Sequence, residues 1–541
     1  MTRLTVPIAV DTYAAALSLA VRAAEFGADL VEYRLDAFVS AGADLSEAKL
    51  RDIEKLVRDS PLPCIVTCRP VWEGGDYDGD EMHRISLLEH AALGPGAGGS
   101  GITPAYLDVE LRAYETSANL RQKIGLVIDH EDQPRPEVTT GLILSSHDFE
   151  TMPPDLDRKL MAMATAPACR VIKLAWRARS LRDNLEAFEI VRRRLKPTIA
   201  LCMGEAGLPS RVLAKKFGAL LTFASLDKHH ATAPGQPTVA ELKQCYRWDQ
   251  QTPETRVYGV IGFPVGHSVS PAFHNAGFDA TGYDGVYLPL PIPPEYEHFK
   301  ATVLSWLDYA PLHFRGASVT IPHKQNLLRF VEEQGGEIEP LAATIGAANT
   351  LHRRGDGSLY AGNTDYAAIL DAVCDAWSIG PDQLADKRVA VLGAGGAARA
   401  AVAGFAHHAA AVTVFNRTVA RAQALADTFG AEAQPLEALD PYRFDLVVNC
   451  TPVGMHPHPE ASPAVFGPPP AEGGAARPLV FDTIYNPAET RLLREAAAAG
   501  CATLAGREMF LRQGAAQFAL WTGLAPPLDV LRELLTENLP S

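Results

Sequence analysis

The chain lacks any apolar run long enough to span a bilayer, and its start, Met1-Thr-Arg-Leu-Thr-Val-Pro7, runs straight into a strand-like stretch with no signal-peptide pattern. Cysteine is scarce and scattered: 8 residues, no Cys-x-x-Cys pair, and no histidines at zinc-ligand spacing. A disulfide scaffold and a structural metal site are thereby excluded, and free thiols in a reducing cytoplasm are expected. Positive charge is outnumbered, with 49 Lys+Arg against 64 Asp+Glu and a formal net charge of −15. That balance argues against nucleic-acid and anionic-membrane partners, while a few local Arg and Lys residues can still hold small anions. What is present, 47% hydrophobic and 21% charged residues over 541 positions, is globular and too long for one core.

Residues 1–245 alternate short apolar stretches with amphipathic ones. Strands are expected at Leu4–Val10, Leu30–Leu35, Cys64–Cys68, Tyr106–Leu111, Leu142–Ser146, Val171–Ala175, Thr198–Met203 and Leu220–Ala224. Helical patterns lie between most of them, at Thr12–Phe26, Ser46–Asp59, Arg182–Leu195 and Ser210–Phe217. About eight such units match the rhythm of a (β/α)8 barrel. Ile124–Asp129 is also strand-like, and makes a ninth strand unless it and Glu131–Thr140 form an insertion or hairpin. Leu93–Gly101 reads as a Gly-rich connection rather than a phosphate cradle, since no helix signal with Lys follows it.

Chemistry in such a barrel belongs at the C-terminal ends of strands. Polar residues gather there: Glu32-Tyr-Arg34-Leu-Asp36, Arg69, Asp108 and Glu110, Ser146-His147-Asp148, and Lys173 within Val171-Ile-Lys-Leu-Ala-Trp176. A lone Lys in an apolar strand is either a neutral amine, which attacks ketones, or one half of a structural ion pair with one of these carboxylates. His147 is either a helix cap or a catalytic base. Arg211 opens a helix and could pair with a carboxylate, and Ala233-Pro-Gly-Gln236 could fold over a ligand.

In order and spacing, Glu32-x-Arg34-x-Asp36, Thr67-x-Arg69 with Glu73-Gly-Gly75, Asp108-Val-Glu110-Leu, Ser146-His147-Asp148-Phe, Lys173, Ser210-Arg211 and Ala233-Pro-Gly-Gln236 resemble type I 3-dehydroquinate dehydratase across residues 1–248. The resemblance implies that Lys173 forms an imine with the substrate ketone. His147 would be the general base and acid, positioned by Glu110, and Arg211 would hold the carboxylate. Glu32, Arg34, Arg69, Thr232 and Gln236 would shape the pocket. An iminium is a better electron sink than a ketone, which makes removal of the neighbouring proton feasible. Thr232 stands where the family usually has Ser but keeps the hydroxyl, and His229-His230 has no assigned part.

A polar, Pro-containing stretch at residues 249–256 reads as a linker. Val257–Phe263 then begins a second α/β pattern, and the turn after it presents Ser268 and Ser270 before a helix opening at Pro271. Two hydroxyls there form either an anion site or an N-cap and a surface Ser. Further strands are expected at Tyr287–Leu290, Gly316–Thr320, Ala411–Phe415, Asp445–Asn449 and Leu479–Asp482. Lys324 falls in a first helical turn, where the dipole disfavours a cation, so it is either exposed or held there for function. Ile345-Gly-Ala-Ala-Asn349 and Gly362-Asn-Thr-Asp365 are small-residue turns that carry an amide and a carboxylate.

Lys387–Leu392 runs into Gly393-Ala394-Gly395-Gly396-Ala397 and an Ala-rich helix, the context a dinucleotide fingerprint requires. The next strand ends in Asn416-Arg417-Thr418 instead of an acid, and Arg421 follows, which favours a 2′-phosphate and hence NADP. Gln513 and Gln517 share a helical face, suited either to gripping a polyol or to a polar surface stripe.

Residues 255–541 resemble shikimate dehydrogenase throughout. The matching motifs are Gly-Phe-Pro-x-x-His-Ser268-x-Ser270-Pro, Val-Thr320-Ile-Pro-His-Lys324, Gly-Ala-x-Asn349-Thr, Asn-Thr-Asp365, Gly393-Ala-Gly-Gly-Ala397, Asn416-Arg-Thr418 and Gln513-x-x-x-Gln517-Phe-x-x-Trp-Thr-Gly. The resemblance implies Lys324 and Asp365 in catalysis and Ser268 and Ser270 on a carboxylate. Thr320, Asn349, Gln513, Gln517 and Tyr485 would bind the rest of the substrate. Gly393–Ala397, Asn416, Arg417, Thr418, Arg421, Thr451, Val453, Met455, Gly506 and Met509 would line an NADP(H) site.

The expected organisation is a barrel at 1–248, a linker at 249–256, a substrate domain at 257–366, a Rossmann domain at 367–508 and returning helices at 509–541. The expected function is dehydration of 3-dehydroquinate followed by reduction of 3-dehydroshikimate to shikimate. A dehydrogenase with an inactive barrel, or a quinate dehydrogenase, are the alternatives.

Overall fold

A computed structural model describes residues 2–39, 46–93, 103–129, 138–467 and 477–538. The chain divides into two compact units, Met1–Thr255 and Arg256–Ser541.

The first unit is an eight-stranded parallel sheet: β1 Arg3–Ala9, β2 Leu30–Arg34, β3 Cys64–Thr67, β4 Tyr106–Glu110, β5 Gly141–Asp148, β6 Cys169–Arg177, β7 Thr198–Met203 and β8 Leu221–Phe223. Its order, β7-β6-β5-β4-β3-β2-β1-β8, is that of a nearly closed barrel. No ladder joins β7 to β8 among the described residues; the Leu220 N–H donates to the Thr198 carbonyl at 2.9 Å across that seam. Strands such as β3 and β7 are buried at every residue, because helices cover the outer face and side chains fill the inner one. Leu30, Ile65, Ile143, Val171, Ile199, Leu221 and Phe223 pack together in one core cluster. Hydroxyls start several helices: Thr12 accepts from Ala15 N–H, Ser46 from Lys49 N–H and Ser117 from Leu120 N–H.

Four expectations need correction or a boundary. Ile124–Asp129 is not a strand, since Ile124 lies in the last turn of the helix Ala118–Gly125 and Leu126 caps it. Ile124 is buried at 2% exposure within the helix and Ile128 at 1% just beyond it, while Leu126 is exposed. Glu131–Thr140 lies largely outside the described residues, as does all of Leu93–Gly101 but Leu93, which ends the helix Glu81–Leu93. The stretch read as a linker is fastened to the first unit: Lys215 Nζ donates to the Trp248 and Asp249 carbonyls, Lys216 Nζ donates to that of Pro253, and Gln251 and Thr255 are buried.

The second unit holds two sheets. One, ordered β10-β9-β11-β13-β14-β12, comprises β9 Arg256–Gly262, β10 Gly285–Pro291, β11 Phe314–Val319, β12 Glu337–Ile338, β13 Thr350–Arg353 and β14 Leu359–Gly362. The other is wholly parallel: β15 Arg388–Leu392, β16 Ala411–Asn416, β17 Glu432–Pro435, β18 Leu446–Asn449, β19 Leu479–Asp482 and β20 Ala502–Leu504. Its order, β17-β16-β15-β18-β19-β20, is doubly wound and reverses between β15 and β18, the crevice where nucleotides bind in such sheets. The helices Gly506–Thr522 and Leu528–Asn538 bring Phe510, Leu511, Leu531 and Leu535 into a cluster with Phe273 of the helix Ser270–Thr281. No described helix is long and apolar enough to cross a membrane.

Candidate active sites

In a barrel, side chains from alternate strands fill one layer. The even strands β2, β4 and β6 supply Glu32, Asp108 and Lys173, and these three meet. Lys173 Nζ donates to Glu32 Oε1 at 2.9 Å and to Asp108 Oδ2 at 2.6 Å, and sits 4.5 Å from the Phe223 ring centroid. Lys173 is 4% exposed, so its ammonium exchanges water for two carboxylates and a ring face. Both carboxylates pair with this lysine.

Arg69 extends the network. Its Nη1 donates to Glu110 Oε1 at 2.7 Å and to Ser145 Oγ at 2.9 Å, and its Nη2 donates to Asp108 Oδ2 at 3.0 Å. Ser145 Oγ donates to Asp108 Oδ1 at 2.6 Å. Burial alone would raise the Asp108 pKa, but Arg69 and Lys173 override it and hold the carboxyl well below its ordinary range.

Glu110 does not hold His147. Its Oε2 is ion-paired with Arg84 Nη1 at 2.7 Å, and Arg84, wholly buried, reaches in from the helix Glu81–Leu93. The residue on His147 is Glu73: its Oε1 accepts the His147 N–H at 2.7 Å and lies 3.1 Å from Nδ1. Glu73 ends the short turn Val71–Glu73 after β3, and the Gly74 that follows is left-handed at φ 77, folding this turn back over the rim. Burial pushes the Glu73 carboxyl up to about 8, against the pull of Arg69. Burial, reinforced by Arg69 and Lys173, drives the His147 pKa well down, so the imidazole is neutral and able to accept a proton.

Arg211 is 2% exposed, and among the described residues it has no carboxylate partner; its buried Nε makes no hydrogen bond. Burial lowers its pKa to about 10. A buried, unpaired cation is the signature of a site awaiting an anion. Arg34 pairs with Asp36 at 2.6 Å. Thr232 N–H and Oγ1 donate to Gln236 Oε1 at 3.0 and 3.2 Å, closing the loop after β8 on itself.

In the second unit, Lys324 opens its helix as expected, and its Nζ donates to Asp365 Oδ2 at 2.6 Å. Asn349 Nδ2 donates to Asp365 Oδ1 at 2.9 Å and to Thr364 Oγ1 at 2.9 Å, so the carboxylate is fixed from both sides. Ser268 Oγ accepts the Ser270 N–H at 3.2 Å. Tyr485 lies tilted against Phe510, ring centroids 4.5 Å apart, with Ser268 as its polar neighbour. Thr320, half-buried, follows β11.

Gln517 departs from expectation. It is wholly buried; its Oε1 accepts from Ser318 Oγ at 2.7 Å, and its Nε2 donates to the Asn349 carbonyl at 3.1 Å and to Thr350 Oγ1 at 2.9 Å. Gln517 therefore braces Asn349 and is not part of a polar surface stripe. Gln513, one turn earlier, is half-buried, with Nε2 on the Phe510 carbonyl at 3.3 Å.

The residues after β15 fit a dinucleotide. Gly393 has φ +110, where a side chain would be strained. A Cβ at Gly395 would meet nothing within 4 Å, so open space faces the start of the helix Gly396–His407. A Cβ at Gly396 would come 2.8 Å from Lys324 Cδ, so the turn lies against the candidate catalytic lysine. Across the crevice, Thr451 N–H and Oγ1 donate to Asn449 Oδ1 at 2.9 and 2.7 Å, with Val453, Gly454 and exposed Met455 beyond. Asn449 in turn donates to buried Asp482 at 3.0 Å. Asn416 Nδ2 ties the turn to the Thr418 carbonyl at 2.9 Å, while Arg417 and Arg421 are exposed and form no ion pair among the described residues. Gly506 packs against the Ile484 backbone, and Met509 is 7% exposed in the core beneath.

The first unit matches the model of type I 3-dehydroquinase over residues 4–253. The second matches the shikimate dehydrogenase substrate-binding domain over 260–351, shikimate/quinate 5-dehydrogenase over 376–455 and the shikimate 5′-dehydrogenase C-terminal domain over 506–536. The chloroplastic bifunctional 3-dehydroquinate dehydratase/shikimate dehydrogenase of Arabidopsis thaliana is 37% identical over 531 residues, covering 95% of this chain and 81% of that protein. The chain belongs to the bifunctional 3-dehydroquinate dehydratase/shikimate dehydrogenase family. As a member of it, the polypeptide joins a lyase to an oxidoreductase. The shikimate dehydrogenase (NADP(+)) of Methanocella arvoryzae is 43% identical over 300 residues, 52% of this chain and 99% of that one. The crystal structure of shikimate 5-dehydrogenase from Thermus thermophilus with NADP(H) and shikimate is similar at 36% identity, covering 52% of this chain and 100% of that one with a TM-score of 0.45.

Glu73, Arg84 and Ser145 are residues to which sequence reasoning gave no part, and Asp108 entered it only as one of the carboxylates that could pair with Lys173. Glu73 and Asp108 stood in its own motifs. Alternate-strand layering would have singled out Asp108, while no strand pattern reaches Glu73.

Proposed function

We propose that the barrel dehydrates 3-dehydroquinate to 3-dehydroshikimate and that the second unit reduces this product to shikimate with NADPH. The observation that supports the barrel assignment is a buried Arg211 with no carboxylate partner among the described residues, in the same barrel whose buried network holds Lys173 and the neutral His147. Arg211 binds the substrate carboxylate, and Lys173 condenses with the ketone. His147, neutral and oriented by Glu73, takes the proton beside the iminium carbon and returns it to the departing hydroxyl. Arg34, Arg69, Thr232 and Gln236 shape the pocket.

In the second unit, Ser268, Ser270 and Tyr485 bind the carboxylate, and Thr320, Asn349 and Gln513 bind hydroxyls. Lys324, held in place by Asp365, delivers a proton to the carbonyl oxygen as negative charge builds there. Gly393–Ala397 and the helix behind them, with Thr451, Val453, Met455, Gly506 and Met509, would hold the dinucleotide. Asn416, Arg417, Thr418 and Arg421 would hold its 2′-phosphate. When bound, NADPH supplies the hydride. No disulfide joins any of the eight cysteines, which supports work in a reducing, cytoplasmic compartment on small-molecule substrates.

Borohydride added with 3-dehydroquinate should give a mass adduct that Lys173→Ala abolishes; an adduct persisting in that variant refutes the barrel mechanism. NADPH oxidation by 3-dehydroshikimate should collapse in Lys324→Ala and Asp365→Asn. Unchanged rates, or faster turnover of quinate than of shikimate in the reverse direction, refute the second assignment.

A further inference from the structure

A lysine held by two carboxylates is an ammonium, and an ammonium has no lone pair with which to attack a ketone. Before any imine forms, a proton must leave Lys173 Nζ, and two acceptors touch that atom: Glu32 Oε1 at 2.9 Å and Asp108 Oδ2 at 2.6 Å. By distance alone Asp108 has the advantage. By competition it does not. Asp108 Oδ2 also accepts from Arg69 Nη2 at 3.0 Å, and its Oδ1 accepts from Ser145 Oγ at 2.6 Å. Arg69 is itself buried, 5% exposed, so neutralising Asp108 would weaken one of its two buried counter-charges. Glu32 makes one hydrogen bond among the described residues, the one to Lys173, and is ion-paired to no other cation. Moving the proton from Lys173 to Glu32 turns one ion pair into two neutral partners and leaves the Asp108–Arg69 pair whole.

From this geometry we infer that Glu32 is the proton acceptor that frees the Lys173 amine, a catalytic part beyond pocket shaping. The inference rests on the reading of Lys173 as the imine-forming residue. The Nζ–H bond breaks, its proton goes to Glu32 Oε1, and the lone pair left on nitrogen forms the C–N bond. The carbonyl π electrons move to oxygen, which takes up the proton from Glu32. A second nitrogen proton then passes through the same carboxylate to that oxygen, and the C–O bond breaks to release water as the nitrogen lone pair forms the C=N bond. Ammonium and ketone become iminium and water, with no net charge gained or lost, and Glu32 ends ionised as it began.

The test is the rate at which the borohydride-trappable adduct appears after rapid mixing of the full-length enzyme with 3-dehydroquinate, read by intact mass. Glu32→Gln keeps the size and the acceptor oxygen but cannot take a proton, so adduct formation should slow on the order of a hundredfold while its final amplitude stays near one per chain. Glu32→Ala should be slow as well, and added formate should restore part of its rate but none of that of Glu32→Gln. An unchanged trapping rate in Glu32→Gln with only KM raised would assign Glu32 to hydroxyl binding and overturn the inference. If Glu32→Gln gives no adduct at any time, the formate response of Glu32→Ala decides: rescue supports the inference, and none overturns it. Absence of the adduct from the wild-type enzyme would instead remove the imine reading itself.

Discussion

Arg211 offers the sharpest trade between stability and function in this chain. Replacing it with Met keeps a long apolar stem and removes a charge that has no carboxylate partner among the described residues. Its pKa sinks from 12.5 to about 10 because burial penalises the charged form. A base with a depressed folded-state pKa costs stability at every pH below that value, and the cost is relieved only as pH rises from about 10 toward 12.5. At neutral pH the full cost is therefore present, at most roughly 3 kcal/mol from the size of the shift. Allowing for the lost packing of the stem, Arg211→Met should raise the melting temperature of the ligand-free barrel by about 2–6 °C. The same change removes a charge-assisted contact to the substrate carboxylate. The barrel's kcat/KM should then fall by about 30-fold to several thousandfold, the range for losing one partner of a buried charge pair. Differential scanning calorimetry with and without 3-dehydroquinate reads both effects: the wild-type barrel transition should rise with substrate, and the variant's should hardly move. A variant that melts lower than wild type and keeps its kcat/KM would refute the reasoning, because Arg211 would then be an anchor of the fold.

Glu73→Gln should fall well below wild type in barrel turnover, and its stability relative to wild type should improve as pH rises from about 5 to 8 in chemical denaturation. A carboxyl whose folded pKa of about 8 lies above its unfolded value of 4.5 costs stability across that window, and Gln removes the cost. Gln517→Leu should lower the melting temperature of the second unit through the loss of three buried hydrogen bonds, each worth about 1 kcal/mol, whereas Gln513→Ala should raise KM for 3-dehydroshikimate with little change in melting; the reverse pattern would undo the assignment of brace and ligand. Arg417→Ala with Arg421→Ala should cut the preference for NADP over NAD, read as the ratio of kcat/KM values, by at least about tenfold with kcat toward NAD unchanged.

The barrel strands were readable to within a residue or two, since Thr198–Met203 and its neighbours are short β-branched runs buried on both faces. Lys173 stood out for the same reason, as a charge inside such a run. The error over Glu110 has a physical origin. Asp108 and Glu110 point into the barrel from one strand, but Glu110 is claimed by Arg84, which an amphipathic reading of the helix Glu81–Leu93 would leave at the surface. Glu73 lies on a turn whose direction is set by a left-handed glycine and not by strand alternation. Gln517 illustrates depth: a four-residue spacing finds the shared face of a helix, but not that the helix Gly506–Thr522 is wrapped by Ser318, Asn349 and Thr350. The small strands β12, β17 and β20 carry too few residues, two to four each, for any periodicity to register.

The seam between β7 and β8 gives the barrel a direction of compliance. A ring laced by ladders all the way round would resist opening equally everywhere, whereas among the described residues this one is crossed here by separate backbone bonds, Leu220 N–H to the Thr198 carbonyl at 2.9 Å and Gly204 N–H to the Pro234 carbonyl at 3.0 Å. Arg211 follows β7, and the Thr232–Gln236 loop follows β8, so the two stand on opposite lips of that gap. Lys173 lies in β6, laced on both sides to β5 and β7. The Gly204–Pro234 bond fastens the two lips to each other, whereas the nucleophile is held in register by unbroken ladders, so the rim and the chemistry are borne by different parts of one wall.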